Sequence, residues 1–341
     1  MVTRRVVLGA AVAAALAGCA GDPSAPPTST PPGPGGTDPG TPGARPTTTG
    51  STPTASSTLP AVAAWTPGAE EPFPQLKQAA TAFLERAGTW DASGQGTPEA
   101  VTARLVAAGV RADVAATAAV LAAPDAEGST LRIGYPQSGG QTPTDASVMT
   151  SFTQTLQRAG TVEERELTLD VRVQGGGAAW GAAGIVPLTP LAGPGTLGPN
   201  ATAVLENPRI RLPGAAEADL RTGALDETML GILNGLGQRY DLDVAVFYDG
   251  HPPHVFATDR VSNHHVGRAV DIWAVDGRTV ASLRGDTAFL DPVLVLAAQL
   301  GATEIGSPYD RNGPQGGYFT DDAHQDHLHV GVSAGRTAVV P

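Results

Sequence analysis

Two short segments of this chain carry side chains that can bind a metal. All seven histidines of the 341 residues lie between His251 and His329. Within that span, "SNHHVGRAVD" (262–271) and "HQDHLH" (324–329) combine imidazoles with carboxylates. Neutral imidazole and carboxylate are ligands that zinc prefers, and a catalytic zinc site uses three of them and keeps one position open. The spacing therefore predicts a metal site built from both segments.

A sheet is the expected support for such ligands. His327 and His329 are two residues apart, so they share one face if that segment is a strand. Ligands from one loop-to-strand segment and from a later strand would be held rigidly. The alternative is a set of hydrogen-bonded core histidines beside a capping aspartate, which would bind no metal.

The two segments also resemble a known family. "SNHHVGRAVD" matches the S-x-H-x-x-G-x-A-x-D signature of the zinc D-alanyl-D-alanine carboxypeptidases, and "DHLH" resembles their second motif. Their superfamily includes lysostaphin-type peptidases, D-Ala-D-Ala dipeptidases, penicillin-insensitive murein endopeptidases and the hedgehog signalling domain. The resemblance covers residues 210–335. It implies an α+β, hedgehog/DD-peptidase-like domain with a small antiparallel sheet.

Carried over position by position, the resemblance implies roles for five side chains. His264, Asp271 and His329 would bind Zn²⁺, Asp326 would be the general base, and His327 would stabilise the oxyanion. This chain departs from the family in one respect, since most of its peptidases have glutamate as the base. The shorter aspartate occurs in some phage endolysin relatives, so the change does not imply inactivity.

Several neighbouring residues have more than one interpretation. The murein endopeptidases show an H-x-D-H-x-H arrangement in which the first histidine is important, so His324 is either a partner of Asp326 or a substitute base. Arg260 either pairs with a substrate carboxylate or is a solvated surface residue. His251 and His254 flank two prolines and belong either to the rim of the cleft or to a plain loop.

The first 60 residues have the composition of an export signal and a tether. Residues 1–19 combine a basic start, a short apolar run and "LAGC", which resembles the bacterial lipobox and predicts lipidation of Cys19. Ordinary cleavage that leaves a free cysteine is the alternative. Residues 20–60 are rich in Pro, Gly, Ser and Thr, which predicts a disordered tether. We therefore expect an exported lipoprotein anchored at the outer face of the cell membrane.

Charge and cysteine content exclude some classes of protein. The formal net charge is −12, from 21 basic and 33 acidic residues. Loss of residues 1–18 would remove two arginines and leave −14, which argues against nucleic acid as a partner. A single cysteine allows no internal disulfide.

Hydrophobic periodicity divides the remainder into two predicted α+β domains. Residues 61–200 read as helices followed by long strands, an order similar to that of the NTF2-like folds, with no catalytic residues and a packing or docking role. "LTPLAGPGTLGPN" (188–200) marks the boundary. Residues 205–335 read as the zinc-binding domain, with "RAVDIW" and "HLHVGV" as strands.

These features together predict a membrane-tethered zinc metallopeptidase that hydrolyses peptide bonds of peptidoglycan, as a D,D-carboxypeptidase or an endopeptidase. The rival interpretation is a catalytically silent, zinc-stabilised module that binds peptidoglycan or protein. An acid retained beside His327 favours the enzyme, because a module that only binds has no use for a base.

Overall fold

The computed structural model of the chain describes residues 58–313 and 316–341. The predicted signal segment, the predicted lipidation site Cys19 and nearly all of the predicted 20–60 tether lie outside these residues. Among the described residues, no helix has both the length and the apolar character needed to cross a bilayer.

Helices come first in the N-terminal region, followed by a sheet. The helices are α1 (Pro74–Gly88), α2 (Pro98–Ala107) and α3 (Ala112–Ala116), with a 3₁₀ turn at Thr117–Leu121. The apolar spacing predicts α1, and Thr97 caps α2 by accepting a hydrogen bond from the Ala100 amide, as expected for Thr-Pro at a helix start. These helices cover one face of the sheet and bury their apolar side chains against it.

The N-terminal sheet is an antiparallel meander in the order β1-β2-β3-β4. Its strands are β1 (Gly128–Gln141), β2 (Asp145–Arg158), β3 (Thr161–Gly176) and β4 (Ala179–Ile185). The alternation over 167–173 predicts a strand whose partner is 146–157, and the observed pairing of β2 with β3 confirms it. β1 is an edge strand of this sheet, which leaves its outer side free to contact the other region.

The C-terminal region is a second α+β unit around a seven-stranded sheet, in which six strands follow the order β10-β9-β11-β7-β6-β5 and β8 pairs with β7. The central strands pair antiparallel, while β10 with β9 and β5 with β6 pair in parallel. Its helices are α4 (Pro199–Glu206), α5 (Gly214–Arg221), α6 (Glu227–Gly237), α7 (Val280–Leu283) and α8 (Thr287–Gln299). Its strands are β5 (Ile210–Arg211), β6 (Leu242–Val246), β7 (Ala269–Val275), β8 (Arg278–Thr279), β9 (Glu304–Gly306), β10 (Tyr318–Phe319) and β11 (Leu328–Gly331).

Each region has its own hydrophobic core. The described residues nevertheless belong to one compact unit. α4 spans the predicted boundary at 200–205, and its buried Ala201 and Val204 pack in the C-terminal core. Met149 of β2 packs against Ala245 and Val246 of β6, so apolar contacts join the two regions. The α+β class is thus confirmed for the described chain, whereas the likeness to named folds stays a prediction.

Candidate metal centre

Strand pairing brings the two histidine segments together. β11 runs antiparallel to β7, and His329 lies directly opposite Asp271 in the register. His264 begins a 3₁₀ turn, His264–Val266, and Gly267 at φ +68° redirects the chain from that turn into β7. The sheet and this tight turn therefore deliver three polar side chains to one buried point.

The three polar atoms at this point form a compact triangle. His264 Nε2, Asp271 Oδ1 and His329 Nδ1 are each 3.1 Å from the other two. Tetrahedral zinc with bonds of about 2.0–2.1 Å separates its ligands by roughly 3.3 Å. The triangle therefore matches the size of a zinc site, and its two nitrogens and one oxygen match the donor set.

The other nitrogen of each imidazole is already occupied. His264 Nδ1 lies 2.7 Å from the Phe247 carbonyl oxygen, and His329 Nε2 lies 3.0 Å from Glu304 Oε1. Both partners are acceptors, so these ring nitrogens carry the protons and the lone pairs of neutral rings point at the triangle. Metal-binding histidines show this arrangement, in which the outer partner fixes the tautomer. Three converging acceptors would repel one another without a positive charge between them.

Electrostatics at the triangle favour such a positive charge. Burial disfavours an imidazolium at His329, but hydrogen bonds to Asp271 and Glu304 outweigh burial and raise its pKa to about 10. Burial likewise opposes ionisation of Glu304, yet His329 lowers the pKa of that carboxyl to about 2. The site therefore attracts a proton or a metal cation at the same place.

A third histidine lies beside the triangle. Donor atoms of His251, His264 and Asp271 lie within 4.8 Å of one another, a set that could hold a metal ion. The His251 ring stacks on that of His264 with centroids 3.9 Å apart, and its Nδ1 is 2.7 Å from the Pro252 carbonyl oxygen. The 3.1 Å distances make the set with His329 tighter, so we regard His251 as an additional donor. The sequence placed His251 only at a rim or in a loop.

Asp326 is placed unlike a general base, which corrects the expectation drawn from the family motif. The residue is fully buried. Its Oδ1 accepts a hydrogen bond from His327 Nδ1 at 2.7 Å, and its Oδ2 accepts one from the Ser138 amide at 2.8 Å and pairs with Lys77 Nζ at 2.5 Å. Burial opposes its ionisation, but Lys77 and His327 lower its pKa to about 2. A carboxylate so stabilised is a poor proton acceptor at neutral pH.

His327 and His324 lie on the open side of the triangle. His327 Nε2 is 3.7 Å from Asp271 Oδ2, while its other nitrogen is held by Asp326. The His324 ring lies 4.9 Å from that of His327 and 5.7 Å from that of His329. Its Nδ1 is 2.6 Å from Asp321 Oδ1, which leaves Nε2 as the acceptor of a neutral ring. Burial lowers the pKa of His324 despite Asp321, so the ring is neutral at pH 7.

A cleft of about 870 Å³ opens onto the triangle. Arg260 lies on its wall and is exposed, and Arg336 lines the same cleft. Gly140 of β1 also lines the cleft, where an added Cβ would lie 2.4 Å from Phe256 Cβ. Both regions of the chain therefore shape the cleft, whose lining combines two arginines with the carboxylates of Asp271, Glu304, Asp321 and Asp322.

Three residues at the centre were not found from the sequence. Glu304 binds His329, Gln137 binds Asp271, and Lys77 pairs with Asp326. Lys77 did have a signal, because it lies on the helix face shared with the buried Ala80. Gln137 and Glu304 had none, since single polar residues in strands are common.

Comparison with known proteins gives no assignment: no family model, curated protein or solved structure matches this chain. The resemblance to zinc carboxypeptidases therefore stays a prediction carried by two motifs, and function has to be argued from the geometry of the centre.

Proposed function

We propose that this protein is a zinc-dependent peptidase that hydrolyses peptide bonds in peptidoglycan. The observation that carries the proposal is the triangle of His264, Asp271 and His329, with two imidazole nitrogens and one carboxylate oxygen 3.1 Å apart at an open cleft. A metal-binding triad in a cleft is typical of catalytic rather than purely structural zinc.

The triad would hold the metal through His264 Nε2, Asp271 Oδ1 and His329 Nδ1. Zinc, when bound, supplies a Lewis acid that activates water and polarises a carbonyl group. Phe247 and Glu304 keep both imidazoles in the tautomer that binds a cation. The protein supplies the remaining chemistry through groups around the cleft.

His324 is the general base of the proposed reaction. Its neutral ring accepts a proton from the attacking water at Nε2, while Asp321 holds Nδ1–H and fixes the ring orientation. The same Nε2 then returns the proton to the departing amine. The pair of His324 with Asp321 thus takes the role that the sequence motif assigned to Asp326.

His327 stabilises the oxyanion. Asp326 accepts the Nδ1 proton, so the ring presents Nε2 toward Asp271 and the triad. A hydrogen bond donated from Nε2 in this position would stabilise negative charge that develops on the substrate, where a buried donor is most effective. Asp326 acts on the reaction only through the orientation and charge of His327.

The cleft suits a peptide that carries a carboxylate. Arg260 and Arg336 both line it, and a guanidinium binds a carboxylate through two parallel hydrogen bonds. Peptidoglycan stem peptides carry free carboxylates, and the predicted lipid anchor at Cys19 would place the enzyme near that polymer.

A second function is favoured by one observation, the proximity of His251 to His264 and Asp271. If His251 completed a four-ligand site, the metal would be closed to water and the protein would be a zinc-stabilised binding module. The two proposals differ in whether a substrate is turned over.

Incubation of the purified chain with muropeptides tests the proposal. We expect mass spectrometry to show loss of a terminal alanine or splitting of cross-links, abolition by a chelator and recovery on addition of zinc. The H324Q variant should bind zinc and fail to cleave. Zinc binding without cleavage by the wild-type chain would instead support the binding module.

A further inference from the structure

We propose that the N-terminal region is part of the metal centre, with Gln137 and Lys77 as positioning residues for Asp271 and His327. This inference rests on the proposed metal-binding function and extends it to a region without a histidine. Both side chains are fully buried, and neither lines the cleft. They act on the site through the two carboxylates they hold.

Gln137 selects which oxygen of Asp271 faces the triad. It lies on β1, and its Nε2 donates a hydrogen bond to Asp271 Oδ2 at 2.6 Å. A carboxylate only accepts, so the amide nitrogen must be the atom that faces it. Oδ2 is thereby fixed, and Oδ1 is left to point at His264 and His329. Outer partners of this kind orient a ligand and tune its affinity for metal.

The other end of Gln137 indicates that this side chain is not kept for stability. Its Oε1 is buried and has no hydrogen-bond partner among the described residues. An unpaired buried carbonyl destabilises a fold. An apolar residue of similar length would remove that penalty, so the amide is better explained by the hydrogen bond it gives to Asp271.

Lys77 provides the second link between the regions. The ammonium on α1 lies 2.5 Å from Asp326 Oδ2 and also pairs with Glu71. The Ser138 amide of β1 donates to the same oxygen of Asp326. Asp326 is thus held by two elements of the N-terminal region, and its remaining oxygen holds His327 Nδ1. The orientation of His327 therefore depends on residues about 190 and 250 positions earlier in the chain.

Adhesion between the regions does not explain these polar contacts. Tyr135 stacks on Trp273 with ring centroids 4.7 Å apart, and Met149 packs against Val246. These apolar contacts already join the two regions. The buried ion pair of Lys77 is made instead with Asp326, which orients His327, and the amide hydrogen bond of Gln137 is made with Asp271, a proposed metal ligand.

The zinc affinity of the full chain tests the role of Gln137. The Q137M variant removes the donor and keeps the side-chain length, and we expect it to bind zinc about 10–100-fold more weakly in competition with a chromophoric chelator. Q141M is the matched control. Gln141 lies on the same strand and also bonds across the regions, but to Asp322, which is not a proposed ligand. Its zinc affinity should stay within about twofold of wild type, below the loss expected for a ligand's outer partner.

The outcomes separate this inference from the proposed function. Equal zinc affinity in Q137M and wild type would overturn the role of Gln137 while leaving the zinc site intact. Failure of the wild-type chain to bind zinc would overturn the proposed function, and this inference with it. Urea unfolding of Q137M should show stability equal to or above wild type, which excludes general damage as the cause of weaker binding.

Kinetics test the role of Lys77. In K77M we expect kcat to fall by at least about tenfold with KM and zinc affinity near wild type, because a remote orienting contact affects the chemical step. The K77M substitution leaves the buried Asp326 carboxylate without its ammonium partner, so K77M/D326N, which removes both charges, is measured in parallel. A folded double variant with wild-type kcat would overturn the role of the pair.

Discussion

Replacing Gly306 with alanine displaces the His324 ring without replacing any titratable side chain, and it therefore tests whether the position of that ring matters. Gly306 ends β9 and lies against the His324 ring, where an added Cβ would sit 2.5 Å from His324 Cδ2 and 2.8 Å from Phe319 Cζ. Ordinary contacts of a Cβ begin at 3.4 Å, so the imidazole must move by roughly 0.9 Å.

A displacement of this size is large for a proton-transfer group. A shift of about 1 Å away from the productive geometry can reduce a rate by about 100-fold. We therefore expect kcat for muropeptide hydrolysis to fall by about 100-fold in G306A. Overpacking would also lower the free energy of unfolding by about 1–3 kcal/mol. Zinc content should stay near one ion per chain, because His324 is not one of the proposed ligands.

The assay is muropeptide turnover by mass spectrometry, together with zinc content by elemental analysis. G285A is the matched control, since a Cβ at Gly285 would meet nothing within 4 Å and its backbone is not in the left-handed region. Wild-type turnover in a folded G306A protein would refute the assignment of the base to His324. Loss of zinc in G306A would show that the clash acts on the triad instead.

Three further predictions follow from the same geometry. H324Q should lose about 10²- to 10⁴-fold in kcat and keep its zinc. The control H265Q replaces an exposed histidine and should retain turnover, so equal kcat in the two variants would remove His324 from the mechanism. D326N should lose about 1.5–3 kcal/mol of stability in urea, because it removes the charged contact to Lys77 while Glu71 still pairs with that ammonium. An unchanged stability would contradict the ion pair. Burial raises the pKa of Asp219 to about 6, so the folded chain keeps this proton to a higher pH than the unfolded chain does. The free energy of unfolding therefore falls as the pH rises from about 4 to about 6. D219N should remove this pH dependence and raise the free energy of unfolding by up to about 3 kcal/mol at pH 8. Urea unfolding at each pH measures both effects, and an unchanged pH dependence would show that Asp219 titrates normally.

The convergence of His264, Asp271 and His329 could be expected from the sequence, because the direction of each side chain follows from the strand or turn that carries it. Alternation in "RAVDIW" and "HLHVGV" predicts strands, and two neighbouring strands bring Asp271 and His329 opposite each other. The tight turn at Gly267 adds His264 from only seven residues away. Side-chain type, strand period and turn chemistry all indicate the same point.

Asp326 lies outside the cleft lining, for a reason that the spacing of the motif does not contain. A short 3₁₀ turn, Ala323–Gln325, precedes Asp326, whose backbone at φ −132° and ψ 3° is neither helical nor extended. Its carboxylate points back at Lys77 and Ser138 instead of into the cleft. Motif position fixes which residue is present, whereas contacts from a distant region decide which way it faces.

The contribution of the N-terminal region was missed for the same reason. A region without histidines predicts a packing or docking role, yet its edge strand supplies Gln137 to a carboxylate 134 residues later. Such contacts depend on how two sheets meet, and the periodicity of either sheet carries no information about that. A lysine on the buried face of α1 was the one visible sign of a polar contact.

Zinc content of single-site variants tests the central claim most directly. Elemental analysis of the purified full chain should find about one zinc per folded wild-type protein and per H251A protein, and close to none in H264A, D271A and H329A. Full zinc occupancy in H329A, or its loss in H251A alone, would contradict a three-ligand site that leaves room for water.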